Sequence, residues 1–319
     1  MMAEINSDII KAKEYLDQDR LIGLPTETVY GLAGNGLKAE VVSQIFEVKN
    51  RPHFDPLILH SYSIDAIREY VTEIPNNAIK LADAFWPGPL TLLLDRNDKI
   101  PDLTCSGLKR AAFRIPNHPK ALALLKTLDY PLAAPSANPF GYISPTSAQH
   151  VEKQLGDKIP YILEGAISEV GIESTIVGFE DNETIIYRLG GLDIQEIEKV
   201  IGKVKVLPHS SSEPDAPGML KSHYAPTKNI LLGNIPELIT ANKNKKIGIL
   251  SYSKLYDENV KVSLQLTKSD DMHEAAKNLF SHLRTLDESE IDIIITEEVP
   301  SIGLGKAIND RLRRAAVKD

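Results

Sequence analysis

Between positions 7 and 19 the apolar residues Ile9, Ile10, Ala12, Tyr15 and Leu16 recur at the spacing of one helix face, with Ser7 placed to cap it. Residues 21–24 form a short apolar run that predicts a buried strand, ended by Pro25 and followed by a glycine-rich turn. From 39 to 49 the period returns to helical, with Val41, Val42, Ile45, Phe46 and Val48 on the packing side, and Pro52 forces the chain out. Residues 57–60 predict the next strand.

Further helices are predicted at 64–71 and 77–85, the second interrupted by Trp86-Pro87-Gly88-Pro89. Others are expected at 119–128, with proline near the first turn where its missing amide hydrogen costs nothing, and from Ser147 to near Gly156. Strand candidates fall at 91–94, 111–115, 132–134, 161–163, 174–179 and 184–187. The last two lie too close together for a helix between them, so the first domain reads as a mixed, twisted sheet with helices. A short helix at 192–201 and a strand at 204–207 complete it.

Residues 208–227, PHSSSEPDAPGMLKSHYAPT, carry neither helical nor strand periodicity and predict a linker. Beyond it, strand patterns at 230–232, 247–250, 260–264 and 291–296 alternate with helical ones at 237–242, 271–286 and 306–317. That alternation predicts a smaller, Rossmann-like α/β domain. The expected division is therefore 1–207, a 208–227 linker and 228–319.

At 319 residues two domains are the natural expectation. A net charge of -8 removes any overall electrostatic drive toward nucleic acid, although local basic pockets for phosphate remain compatible with it. The single cysteine, Cys105, excludes an internal disulfide and points to a reducing compartment. The start MMAEINSDII does not read as a signal peptide, and no apolar run approaches the ~18 residues of a membrane span. A cytoplasmic, non-membrane protein is expected.

The segment from Leu21 to His60 gathers Thr26, Glu27, Thr28, Tyr30, Lys49, Arg51 and His60 around two predicted strand ends, a pattern suited to a ligand cradle. Lys49 and Arg51 stand where a helix ends, where cations favour the helix dipole; a point charge beside a planar donor fork also suits phosphate oxygens. Ser136 and Asn138 in APSANPFG are ordinary turn formers and equally the groups that fix a nucleotide phosphate, with Ser144 extending the polar strip. Glu173, Ser174 and Arg188 flank two further strands, and Glu173 could accept from a substrate ammonium or help hold a metal-phosphate unit. No GxxxxGK[ST], HExxH or GxSxG is present, which excludes the usual phosphate loop, a zincin and a hydrolase elbow. Gly303-x-Gly305 lacks dinucleotide-binding spacing.

In order and spacing, PTETVYGL, KNRPHFDPL, WPGPLT, FRIP, APSANPFGYISPT, GIESTI and RLGG, followed by PGMLKSHYAP and GLGKAINDRLRRAA, resemble the Sua5/YrdC family, in particular its two-domain form. The resemblance implies a YrdC-like (YrdC/RibB-type) α/β catalytic domain and a Sua5 C-terminal domain. It implies a nucleotidyltransferase that makes L-threonylcarbamoyl-AMP and pyrophosphate from L-threonine, bicarbonate and ATP, with Mg²⁺ on the phosphates, for t6A modification of tRNA. On that resemblance Lys49 and Arg51 are catalytic. Thr28, Tyr30, Arg51, His60 and Ser174 bind threonine, and Lys49, Arg114, Ser136, Asn138, Ser144, Arg188 and Tyr224 bind ATP, with direct metal ligands unassigned. Pro217-Gly218-Met219 and His223-Tyr224-Ala225-Pro226 are expected to form a lid over the site. Functional coupling to t6A transferase proteins is implied, with direct tRNA contact left open. The alternatives are an RNA-binding module of the same pathway and a carbamoyl transferase of related fold.

Overall fold

The computed structural model describes residues 2–181, 183–207, 216–217 and 224–317. Among them eleven strands form one mixed sheet: β1 (Glu4–Asn6), β2 (Ile22–Leu24), β3 (Gly31–Asn35), β4 (Ile58–His60), β5 (Leu90–Asp95), β6 (Arg110–Arg114), β7 (Leu132–Ala133), β8 (Tyr161–Leu163), β9 (Thr175–Glu180), β10 (Glu183–Arg188) and β11 (Lys205–Val206). Their order is β1-β8-β2-β3-β7-β4-β6-β5-β9-β10-β11. Antiparallel pairing of β2 with β3, of β7 with both β3 and β4, and of β5 with β6 alternates with parallel pairing of β4 with β6 and β5 with β9. A second sheet, β12 (Asn229–Leu232), β13 (Ile247–Ser251), β14 (Val262–Gln265) and β15 (Ile293–Thr296), is parallel throughout in the order β12-β15-β13-β14.

Most predicted elements stand within a few residues of their expected places, and the helix Ala39–Lys49 keeps the predicted bounds. Two readings need correction. The glycine-rich turn after Pro25 is largely β3, a strand buried along its whole length. Its glycines make room for neighbours: a Cβ on Gly34 would stand 2.6 Å from both Leu21 and Val41. The cap of the first helix is Asp8, whose carboxylate accepts from the amides of Ile10 and Lys11, because Ile9 is already helical. The edge strand β1 was not foreseen. Three residues with one apolar side chain give no period to read.

The core of the large unit runs from Leu21 and Tyr30 through Val42, Phe46, Leu92 and Phe113 to Ile162 and Val177. A second cluster crosses the boundary between the units: Val29, Ile143, Ile172 and Tyr224 pack with Leu279, Phe280, Leu283, Ile308 and Leu312. At ~1.5–3 kcal/mol for each fully buried large aliphatic or aromatic side chain, this shared core is a substantial part of what holds the units together. Gly171 marks one close approach of their backbones. Its φ of +76° is in the left-handed region, and a Cβ there would sit 2.4 Å from the Lys277 Cα.

Candidate active site

The ends of β2, β4, β6 and β9 open onto one cavity of about 580 Å³, counting its mouth to solvent. Its floor begins with the Thr26–Val29 turn. The Thr26 hydroxyl donates to the Val29 carbonyl at 2.6 Å and accepts from the amides of Thr28 and Val29 at 3.2 Å, which locks the turn from within. Arg114 at the end of β6 donates to the Thr28 hydroxyl at 2.7 Å and pairs with Glu27 at 2.6 Å.

Arg51 follows the helix Ala39–Lys49 and is held flat against its own loop. Nε donates to the Asp55 carbonyl at 3.0 Å, Nη2 donates to the Pro56 carbonyl at 2.9 Å, and the Asp55 carboxylate stands 2.9 Å from Nη2. A buried guanidinium fixed this way presents its remaining face at little further entropy cost. His60, at the end of β4, is buried in the lining of the same cavity, and burial, followed by the Arg114 charge, pushes its pKa down to about 3. It is therefore a neutral imidazole at physiological pH.

Arg188 also lines the cavity and donates through Nε and Nη2 to the Ser174 carbonyl at 3.0 and 2.9 Å, and Nη2 reaches the Ser174 hydroxyl at 3.1 Å. Burial lowers its pKa to about 10, which leaves it cationic. Ser174 shares a hydrogen bond of 2.7 Å with Thr91. Tyr224, fully buried, lines the cavity with φ of +65°, strained backbone for an aromatic residue. It is kept there by Phe280, whose ring lies 5.4 Å away, by the guanidinium groups of Arg311 and Arg314, and by the Ala225 amide bonded to the Gly141 carbonyl.

Of the residues expected around threonine, Thr28, Arg51, His60 and Ser174 line this cavity; of those expected around ATP, Arg114, Ser136, Arg188 and Tyr224 do. Four others stand behind the wall. Tyr30 is in the core, its hydroxyl donating to the Ala166 carbonyl and accepting from the Gly165 amide. Asn138 spends its amide on the carbonyls of Pro139 and Tyr142, and Ser144 donates to Glu173. Lys49, 1% exposed, donates its ammonium to the carbonyls of Ser136 and Asn138. Burial first, and the Arg51 charge second, lower its pKa well below the usual lysine value. The two cations of the Lys49-x-Arg51 pair thus diverge: one faces the cavity, the other staples the helix end to the 136–138 loop.

Sequence reasoning passed over Asp55, Thr91 and Arg311. Arg311 had a signal: Leu304, Ala307, Ile308, Leu312 and Ala315 form an apolar helical stripe, and a cation inside such a stripe must find a buried partner. Of the expected lid, Gly218, Met219 and His223 lie outside the described residues, as does most of 208–227. Among the described residues, no three His, Cys, Asp or Glu side chains gather as a metal set.

Residues 14–190 match the family Sua5_yciO_yrdC, described as "Telomere recombination", and residues 192–317 match Sua5_C, described as "Threonylcarbamoyl-AMP synthase, C-terminal domain". The chain is 39% identical to the threonylcarbamoyl-AMP synthase of Pyrococcus abyssi over 96% of its own length and 93% of the relative's. It is 36% identical to that of Bacillus subtilis over 97% and 92%. The crystal structure of P. abyssi Sua5 complexed with L-threonine superposes with a TM-score of 0.92 at 39% identity, covering 97% of this chain and 94% of the other.

Proposed function

The chain belongs to the Sua5/YrdC family in its two-domain form, and from that premise we propose how its residues make L-threonylcarbamoyl-AMP. It is a threonylcarbamoyl-AMP synthase. The observation that carries the residue-level reading is the meeting, in one cavity, of Thr28, Arg51, His60 and Ser174 with Ser136 and Arg188.

In this reading threonine lies on the Thr28–His60 side. Arg51, held from behind by Asp55, takes its carboxylate, while neutral His60 and Ser174 confine the side chain. Bicarbonate condenses with the threonine amine to give the carbamate and water. A carbamate oxygen then forms a bond to the α-phosphorus of ATP as the bond from that phosphorus to the bridging oxygen breaks, releasing pyrophosphate. Such a reaction needs alignment and charge compensation more than a protein nucleophile. Ser136 and Arg188 hold the nucleotide side, and Lys49 shapes the Ser136 loop from behind.

When bound, Mg²⁺ would supply charge neutralisation on the triphosphate. Glu27, Asp55 and Glu173 each face an arginine, so phosphate oxygens would provide most of its ligands. The product is a mixed anhydride, which fits hand-over to a t6A transferase in the same, cytoplasmic, compartment. The test is incubation with ATP, threonine and ¹³C-bicarbonate: a threonylcarbamoyl-AMP ion carrying one label, with equimolar pyrophosphate, is expected. Pyrophosphate release independent of bicarbonate would overturn the scheme.

A further inference from the structure

Among the described residues Glu173 is the carboxylate that lines the cavity, and it is held from both units at once. Ser144 of the large unit donates to Oε1 at 2.5 Å. Arg311, on the C-terminal helix Gly305–Ala316, donates to Oε2 through both Nε and Nη2 at 3.2 Å. Arg311 is fully buried, also donates to the Leu189 carbonyl of the large unit, and places its guanidinium carbon 5.4 Å from the centre of the Tyr224 ring.

The other carboxylates beside the cavity are neutralised from within the large unit, Asp55 by Arg51 and Glu27 by Arg114. For Glu173 the cationic partner, among the described residues, comes from the C-terminal unit. A cavity that takes a triphosphate and an amino-acid carboxylate cannot carry an uncompensated anion in its wall without losing affinity for both, since burial magnifies the repulsion.

We propose that Arg311 is a positioning residue of the synthase site: it neutralises and aims Glu173 and backs Tyr224, so that the C-terminal unit completes the substrate cavity. This rests on the synthase reading above. The C-terminal unit is then a working wall of the site, and the two cross-boundary bonds to Glu173 are the feature through which it acts.

The test is steady-state kinetics on the full chain, reading pyrophosphate release against ATP and threonine, for wild type, Arg311→Met, Glu173→Gln and the double variant. Wild-type turnover is the control for the synthase reading itself; a wild type that makes no product refutes that reading and leaves the Arg311 question decided by ATP binding alone. Arg311→Met is expected to raise the KM for ATP at least tenfold with a smaller change in kcat. Adding Glu173→Gln is expected to recover at least threefold of that loss, because the repelling charge is gone. An unchanged KM in Arg311→Met overturns the proposal, and so does a loss that Glu173→Gln fails to relieve, since that is what a merely structural arginine would give. Should Arg311→Met not fold, Arg311→Gln with and without Glu173→Gln reads the same rescue. If the wild type is inactive, calorimetry of ATP binding to the same four proteins carries the same expected loss and rescue.

Discussion

The two units bury charge in different ways. In the large unit two buried arginines of the site pair with carboxylates at home, Arg51 with Asp55 and Arg114 with Glu27, and the third, Arg188, donates to Ser174. In the small unit Arg284 and Arg311 reach outward as well: Arg284 donates to the Ile143 and Ser144 carbonyls and to Gln154, and Arg311, which also keeps Asp310 of its own helix at 3.3 Å, donates to Glu173 and the Leu189 carbonyl. The first pattern preorganises a site within one fold. The second makes the small unit's docking face an extension of that site, since segment 142–144, Glu173 and Tyr224 are all held across the boundary.

The sharpest break would come from Arg51. Arg51→Ala removes the guanidinium that faces substrate, and single-turnover adenylate formation is expected to fall by about 10²–10³-fold. Lys49→Met, which loosens the 136–138 loop from behind, is expected to act mainly on the KM for ATP. Equal effects on kcat from both would erase the distinction between the cavity-facing and the stapling cation.

Arg284→Met leaves two buried carbonyls without their donor, at about 1–3 kcal/mol for each unsatisfied group, and should lower the urea midpoint accordingly. Stability unchanged by this variant would mean that the cross-boundary bonds do not hold the units. Acid should weaken the large unit first. The neutral, buried His60 has a folded pKa of about 3 against an ordinary value near 6.5, so its contribution is complete above 6.5 and is lost as pH falls toward 3. At pH 5 the loss amounts to about 2 kcal/mol, and His60→Gln should lessen the fall of the urea midpoint between pH 8 and 5, the remainder coming from His150, whose pKa burial lowers to about 4. The exposed pairs Lys277–Glu169 and Lys153–Glu288 also bridge the units. Lys277→Ala should change stability by less than about 1 kcal/mol, and a larger change would shift the weight of docking from the buried arginines to the surface.

The sequence carried the elements and the cluster of site residues well where side chains have a period or a rare chemistry. The helix Ala39–Lys49 announces itself by apolar spacing and by Pro52, and the Thr26–Tyr30 stretch by its polarity after a strand. It carried β3 poorly, because glycines buried on both faces look like turn residues until their neighbours are known. The fate of Lys49 was equally illegible: a helix-terminal cation reads the same whether it meets water, phosphate or two buried carbonyls. Arg311 was legible only as a cation in an apolar stripe. Its partner lies 138 residues away, which no local pattern can supply.

The most direct measurement of the central claim is a crystal structure of the full chain with L-threonine and a non-hydrolysable ATP analogue bound together. The account predicts threonine against Thr28, Arg51 and His60, the α-phosphate between it and Ser136, and Tyr224 and the Arg311–Glu173 pair in the wall around them. A nucleotide seated at the carboxyl ends of β12–β15, or threonine outside the cavity, would contradict it.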